Sequence, residues 1–200
     1  MARELNVEIA SLCLDCLSQY PYKSDPRAQQ YVADAIKAAS TLGSRVVLVG
    51  FFFMGDLMRD KEGTDVVIQR FREIAPTAEK AGVTLGIESW LNAEQHMAIL
   101  DRVGSNAVKV YYDVGNSAKM GYDIYKEIRF LGKNICEFHA KDFDGLYGKG
   151  GVNFPEVRRA MDDIGYGGWI HMEGPKTPLG IEASLAYDAR FLRTIFPRST

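Results

Sequence analysis

Hydrophobic and polar positions along this chain come in blocks, and two kinds of block alternate. Short β-branched or apolar runs, which are typical of buried strands, are each followed by a turn signal and by a stretch with helical periodicity. Six strands are predicted, over residues 7–14, 45–52, 84–89, 107–113, 134–142 and 169–173. Six helices are predicted between and after them, over residues 25–42, 64–81, 93–103, 117–131, 155–164 and 181–196.

This order of blocks is typical of a parallel sheet covered by helices, because strands that are buried on both faces have nearly continuous apolar sequences. Two architectures fit the order, a doubly wound sheet and a (β/α) barrel. The chain has no linker, low-complexity segment or charge run that would separate domains. We therefore expect residues 1–200 to form a single domain.

Four of the predicted strands end on, or close to, a side chain that can bind a metal ion. The four are Glu88 in TLGIES, Asp113 in VKVYYD, His139 in ICEFHAKD and Glu173 in WIHME. In parallel α/β folds the active site lies at the C-terminal ends of the strands. These ends converge on one axis in a barrel, whereas a doubly wound sheet spreads them along a line. The pattern therefore favours a TIM-barrel-like parallel (β/α) barrel.

Three carboxylates that meet at one place need a cation, since like charges raise each other's pKa strongly. Two glutamates, one aspartate and one histidine form a mixed oxygen and nitrogen site, which suits Mn²⁺, Mg²⁺, Co²⁺ or Zn²⁺. We expect one such ion, with Mn²⁺ as the first choice. The alternative is that each acid only caps the helix that follows it.

The motifs GIES, YYDVGN, FHAKD and GYGGWIHMEGP, in this order and spacing, resemble the sugar isomerase/epimerase superfamily with its xylose-isomerase-like TIM barrel. That superfamily includes ketose 3-epimerases, hydroxypyruvate isomerases and inosose dehydratases. The resemblance implies that the same four residues bind the metal, and that Glu88 and Glu173 also flank the substrate as acid/base catalysts. It implies an isomerase or epimerase of a ketose or related polyhydroxy carbonyl compound, acting through an enediolate, with a dehydratase as the alternative.

The chain departs from the family's pattern in two places. Asn116 stands three residues after Asp113, where many members have a substrate-binding histidine, and its amide can still hydrogen-bond a hydroxyl group. Only two predicted strands precede the strand of Glu88, whereas the family has four, which predicts an N-terminally short, incomplete barrel with six of eight units. Its edges, 7–14 and 169–173, would carry unpaired backbone groups, so we expect a dimer that covers them.

Further residues near the predicted strand ends have two open interpretations each. Lys141 shares a strand face with the histidine two residues before it, and either contacts substrate oxygens or is a solvated lysine. Trp90 either walls the sugar pocket or packs in the core. His171 shares a face with Glu173 and is either an outer partner of the metal site or a hydrogen-bonded interior histidine. The glycine-rich loop 144–151 is either a cover over the site or a flexible connection.

Composition and charge exclude several classes of partner. The net charge is −2 and the sequence pI is about 6.0, so we expect neither a nucleic-acid partner nor an anionic membrane surface. Only three histidines are present, which also counts against a multi-zinc endonuclease on the same barrel. No apolar run approaches the roughly 20 residues of a membrane helix.

Three cysteines, an odd number, indicate a reducing, cytoplasmic location. A non-catalytic barrel that retains the metal site is the remaining alternative.

Overall fold

The computed structural model describes residues 2, 4–142, 145–174 and 177–197. The strands in this part are β1 (Ser11–Cys13), β2 (Val46–Phe51), β3 (Thr84–Ser89), β4 (Val108–Asp113), β5 (Ile135–Ala140) and β6 (Ile170–Met172). The α-helices are α1 (Ala28–Leu42), α2 (Lys61–Ala81), α3 (Ala93–Val103), α4 (Val114–Lys119), α5 (Ile124–Leu131), α6 (Phe154–Asp163) and α7 (Ile181–Ile195). Short 3-10 helices occur at Asp15–Ser18, Phe53–Gly55 and Gly132–Asn134.

The strands belong to one sheet in the order β1-β2-β3-β4-β5-β6, which is also their order along the chain. The pairings β1–β2, β2–β3, β3–β4 and β5–β6 are parallel. At least one helix follows every strand, so the chain repeats a β/α unit six times. A complete TIM barrel has eight such units. The predicted fold class, an incomplete parallel (β/α) barrel, is confirmed.

Packing divides the chain into two compact units, residues 1–111 and residues 112–200. In the first unit, β2 and β3 are buried on both faces except at the half-buried Gly50 and Thr84, and α1 and α2 pack in the same unit. In the second unit, β5 is mostly buried and α5 packs against α6. The expectation of a single domain over 1–200 stays a prediction.

Two elements differ from their predicted bounds. The helix predicted over 117–131 is two helices, because the chain leaves α4 through Gly121 at a φ of 82° and restarts where Asp123 caps α5. Strand β1 has three residues instead of the eight predicted over 7–14. It is a terminal strand of the sheet, so only one neighbouring strand pairs with its backbone N–H and C=O groups. A short strand is therefore enough to make these hydrogen bonds. Among the described residues, no helix is long and apolar enough to cross a membrane.

Candidate functional site

Asp113 uses its two carboxylate oxygens for different purposes. Oδ1 accepts hydrogen bonds from the backbone N–H groups of Gly115, at 2.7 Å, and Asn116, at 2.8 Å, and so caps α4. Oδ2 lies 3.6 Å from Nζ of Lys141. The helix-capping alternative therefore holds for one oxygen, while the other faces a charged cluster.

Asp113, His139 and Glu173 lie close together in the second unit. One ligand atom from each of the three lies within 4.8 Å of those of the other two. Parallel pairing of β5 with β6 sets Ala140 opposite Met172, and the N–H of Glu173 donates to the carbonyl oxygen of Ala140 at 3.0 Å. Neighbouring strand ends thereby hold an imidazole and two carboxylates within reach of one ion.

Lys141 belongs to this cluster. Its Nζ lies 2.6 Å from Oε2 of Glu173, and its side chain is only 22% exposed, so it is an ion-pair partner of the acids and not a solvated lysine. Burial raises the pKa of Glu173, but the hydrogen bond donated by Lys141 and the positive charge of its ammonium group outweigh burial, and the net effect lowers that pKa. Glu173 is therefore anionic at neutral pH.

Gly115 lets the start of α4 approach the end of β5 closely. A Cβ atom at this position would lie 2.6 Å from Cβ of Lys141 and 2.7 Å from its carbonyl oxygen. Contacts that short require the neighbouring atoms to move. The carbonyl oxygen belongs to the backbone, which cannot move as a side chain can. The glycine of the YYDVGN motif is thus required by the position of Lys141 beside the acids.

A buried acid that sequence reasoning missed lies near the cluster. Oε2 of Glu137 lies 3.0 Å from Nε2 of His171, and Glu137 is buried. The rings of His139 and His171 lie edge to face with centroids 6.2 Å apart. His171 therefore contacts both an interior acid and the ring of the metal-site candidate. The strand alternation in ICEFHA could have identified Glu137, because residues two apart share a face.

The described part of the glycine-rich loop is held by buried carboxylates; residue 144, where the predicted loop begins, lies outside the described residues. Asp142 accepts hydrogen bonds from the N–H groups of Gly148, at 3.0 Å, and Gly150, at 3.1 Å. Asp188 on α7 accepts one from the N–H of Tyr147 at 2.8 Å. These hydrogen bonds hold the described part of the loop against the end of β5 and against α7. A purely flexible connection would not need them.

The remaining predicted residues include two from the first unit. Glu88 is buried near the end of β3, opposite Gly50 of β2 in the register. Trp90 is half-buried and makes edge contacts with the rings of Phe52, at 5.3 Å, and Phe53, at 5.7 Å. Asn116 is half-buried in α4, beside the Asp113 cap. The roles predicted for these residues stay predictions.

The donor set in the second unit fits a divalent cation. Two carboxylates and an imidazole nitrogen supply hard oxygen ligands and one nitrogen ligand, which Mn²⁺, Mg²⁺, Co²⁺ and Zn²⁺ all accept. Asp113 is buried, so its carboxylate is largely removed from water. The ammonium group of Lys141 lies near the carboxylates of Asp113 and Glu173 and offsets their negative charge. A cation bound by these oxygens would supply the same kind of compensation.

Residues 1–195 match the protein family described as xylose isomerase-like TIM barrel. The match covers almost the whole chain, so the chain belongs to this family, as the four sequence motifs indicated.

Curated relatives include two epimerases by name. The chain is 30% identical over 124 residues to a D-psicose 3-epimerase of Enterocloster bolteae, covering 57% of this chain and 41% of the relative. It is 28% identical over 196 residues to a putative L-ribulose-5-phosphate 3-epimerase of Escherichia coli, covering 85% and 67%. An uncharacterized protein of Methanocaldococcus jannaschii is 28% identical over 160 residues, covering 71% and 55%. The chain therefore spans about half the length of the curated relatives it matches.

Solved structures share the fold at low sequence identity. A D-psicose 3-epimerase with D-tagatose from Clostridium cellulolyticum H10 superposes with a TM-score of 0.80 at 20% identity, covering 98% of this chain and 80% of that one. A 3-keto-D-glucoside 4-epimerase from Escherichia coli gives 0.81 at 13% identity, covering 96% and 81%. A family 2 AP endonuclease from Brucella melitensis gives 0.75 at 19% identity, covering 95% and 81%. Because sugar enzymes and an endonuclease superpose alike, these matches establish the fold alone.

Proposed function

We propose that the chain is a divalent-metal-dependent isomerase or epimerase of a ketose or related polyhydroxy carbonyl compound. The observation that carries the proposal is the cluster of Asp113, His139 and Glu173 at the strand ends of the second unit. The named curated relatives, a psicose 3-epimerase and a putative ribulose-phosphate 3-epimerase, support the sugar substrate class.

The proposed metal ligands are Glu88, Asp113, His139 and Glu173, with Mn²⁺ as the proposed ion. A bound divalent ion would act as a Lewis acid toward the carbonyl oxygen and a neighbouring hydroxyl oxygen of the substrate. Glu88 enters as fourth ligand on the strength of the GIES motif and its place on β3. The buried environment of Asp113 limits competition from water for these side chains.

The two glutamates are the proposed proton carriers. One removes the proton α to the substrate carbonyl, which gives an enediolate, and the other returns a proton. Return to the opposite face of the same carbon gives an epimer, whereas return to the neighbouring carbon gives an isomer. A substrate with a leaving hydroxyl group in the β position would lose water instead. The pose of the substrate decides among these outcomes.

Three other side chains are proposed to bind the substrate. The Lys141 ammonium group can donate to substrate oxygens, since it already donates to Glu173 at 2.6 Å. The Asn116 amide offers a donor and an acceptor for a hydroxyl group. Trp90 offers an aromatic face to the apolar side of a sugar. The substrate is thus a small molecule.

The proposed assembly is a dimer, located in the cytoplasm. Strands β1 and β6 end the sheet order, and terminal strands carry backbone groups that another chain can pair. Trp169, directly before β6, and Met172 within it are exposed apolar side chains beside one of these edges. The cytoplasmic location rests on the odd number of cysteines, three, which is typical of a reducing compartment.

Solvent-proton exchange tests the activity directly. The chain, loaded with Mn²⁺, is incubated with a panel of ketoses in deuterated water, and deuterium at the carbon α to the carbonyl is measured by NMR. We expect exchange with at least one ketose, reduced by on the order of a thousandfold in Glu173→Gln and in Glu88→Gln. Glu94→Gln, on the first turn of α3, is the control.

The results separate the alternatives. Exchange that persists in either glutamine variant would remove that glutamate from the mechanism. If the parent chain binds Mn²⁺ but exchanges no ketose proton, the non-catalytic interpretation is right and the proposed activity is wrong.

A further inference from the structure

The hydroxyl group of Tyr147 lies where the ends of β5 and β6 meet. It donates a hydrogen bond to the carbonyl oxygen of Ala140, the residue after His139. It also accepts from the backbone N–H of Glu173 at 3.1 Å, and that N–H is shared with the Ala140 carbonyl oxygen at 3.0 Å. It lies 3.3 Å from the carbonyl oxygen of Glu173. One side-chain oxygen therefore contacts the backbone of Glu173, a proposed metal ligand, and the backbone of the residue that follows His139, another proposed ligand.

Tyr147 is itself held by contacts with α6 and α7. Its N–H donates to Oδ1 of Asp188 on α7 at 2.8 Å. Its ring stacks on the ring of Phe154 at the start of α6, with centroids 5.4 Å apart, and Phe154 in turn meets Phe191 of α7 edge to face. The side chain is completely buried, so its hydroxyl group has a fixed position in the described structure.

The neighbouring glycines fit this arrangement. A Cβ atom at Gly148 would lie 2.5 Å from the ring of Phe191, and one at Gly150 would meet the Asp142 carboxylate. The loop around Tyr147 must therefore pack closely against β5 and α7 for the tyrosine to reach the strand ends.

We propose that Tyr147 is a positioning residue that fixes the backbone of Glu173, and through it the carboxylate that binds the metal and moves the proton. The proposal rests on the proposed function for the role of Glu173, while the positioning itself is a property of the metal-free chain. Partners that orient a metal ligand typically change metal affinity or activity by about 10- to 100-fold when removed.

Tyr147→Phe removes the hydroxyl group and keeps the ring that stacks on Phe154. The chain offers a matched control, because the hydroxyl group of Tyr166 donates to the carbonyl oxygen of Trp169, at 2.7 Å, and lies 3.3 Å from that of Cys136. Tyr166 thus joins the same two strands at their other ends. Tyr166→Phe makes the same chemical change away from the site.

The first measurement is hydrogen exchange of the Glu173 amide by NMR, without metal. We expect exchange about tenfold faster in Tyr147→Phe and unchanged within twofold in Tyr166→Phe. The second measurement is calorimetric Mn²⁺ affinity, which we expect to fall about tenfold in Tyr147→Phe and less than twofold in the control. Replacing Tyr147 by 4-aminophenylalanine, which restores a hydrogen-bonding group, should return both values toward those of the parent.

Two results would overturn the proposal. One is Glu173 amide exchange and Mn²⁺ affinity in Tyr147→Phe within twofold of the parent. The other is loss of folding in Tyr147→Phe alone, which would make the hydroxyl group a requirement of the fold. If the parent binds no Mn²⁺ and exchanges no substrate proton, the proposed function fails, and the amide measurement still decides whether Tyr147 holds the backbone of Glu173.

Discussion

Histidines near strand ends have opposite surroundings in the two units. In the first unit, Nε2 of His96 lies 2.9 Å from Oγ of Ser89, the last residue of β3, and Nδ1 lies 3.0 Å from the carbonyl oxygen of Asn92. In the second unit, His139 has the carboxylates of Asp113 and Glu173 within 4.8 Å of a ring nitrogen.

The difference lies in the electrostatics of the surroundings. A carbonyl acceptor places the proton of neutral His96 on Nδ1, so Nε2 accepts from the serine hydroxyl. Burial, offset only in part by the Asn92 carbonyl, lowers the pKa of His96 to about 4. His139 has negative charge beside it, which suits a metal ligand. Residue type alone therefore does not identify a metal site; the neighbouring carboxylates do.

Two helix caps in the second unit provide the sharpest test of this contrast. Asp113 caps α4 and Asp123 caps α5, each through a side-chain oxygen. Asparagine keeps such an acceptor and loses the charge, so Asp113→Asn and Asp123→Asn should both retain the cap. We expect only Asp113→Asn to lose Mn²⁺ affinity, on the order of a hundredfold, or about 3 kcal/mol, measured by calorimetry. Equal Mn²⁺ affinities in the two variants would show that Asp113 caps α4 and does not bind the metal.

The neutral state of His96 predicts a stability change with pH. The unfolded chain takes up a proton near pH 6.5, the ordinary histidine pKa, whereas the folded chain takes it up near pH 4. The contribution is therefore fully present above about pH 6.5 and is lost as pH falls toward 4. We expect the free energy of unfolding to decrease by about 3 kcal/mol across this range from His96 alone.

Urea unfolding of the parent and of His96→Gln, at several pH values from 7 to 4, measures this contribution. Glutamine can replace one of the two hydrogen bonds and does not titrate. The parent should lose more stability than the variant as pH falls. Parallel pH profiles would show that His96 does not resist protonation.

Much of the fold follows from the sequence, because local patterns determine it. Strand β3 and helix α3 begin and end at their predicted residues, since TLGIES is buried after Thr84 and Asn92 and Gly104 mark the helix ends. The split between α4 and α5 was missed because the apolar periodicity continues past Gly121.

The candidate site was only partly accessible to the same reasoning. The position of the active site at strand ends predicted Asp113, His139 and Glu173, and these residues do lie together. It gave no indication of Tyr147, whose contact with Glu173 spans 26 residues of chain. A loop tyrosine has no periodicity to place it, so only the folded backbone reveals what it reaches. Glu137 could have been predicted, because it lies two residues before His139 on the same strand face, but it was overlooked.

Close packing beside the acids predicts a smaller effect. Gly115→Ala should cost about 1–3 kcal/mol of unfolding free energy, because the new methyl group meets Cβ and the carbonyl oxygen of Lys141. Gly167, with nothing within 4 Å of an added Cβ, is the control, and Gly167→Ala should change stability by less than about 1 kcal/mol. Thermal or urea unfolding measures both. Equal stabilities would mean that α4 shifts away from β5 at little cost.

The smallest expected effect concerns the ammonium group of Lys141. It lies 2.6 Å from Glu173 and 3.6 Å from Asp113, so it competes with a metal ion for the same carboxylates. The pair is partly exposed, and such ion pairs contribute up to about 1 kcal/mol. We therefore expect Lys141→Met to bind Mn²⁺ about fivefold more tightly, whereas Lys126→Met, at an exposed ion pair with Asp123, should leave affinity unchanged. The KM for the ketose should rise in Lys141→Met alone, because the proposed contact with substrate oxygens is lost. Weaker Mn²⁺ binding in that variant would show that the lysine supports the metal site instead of competing with it.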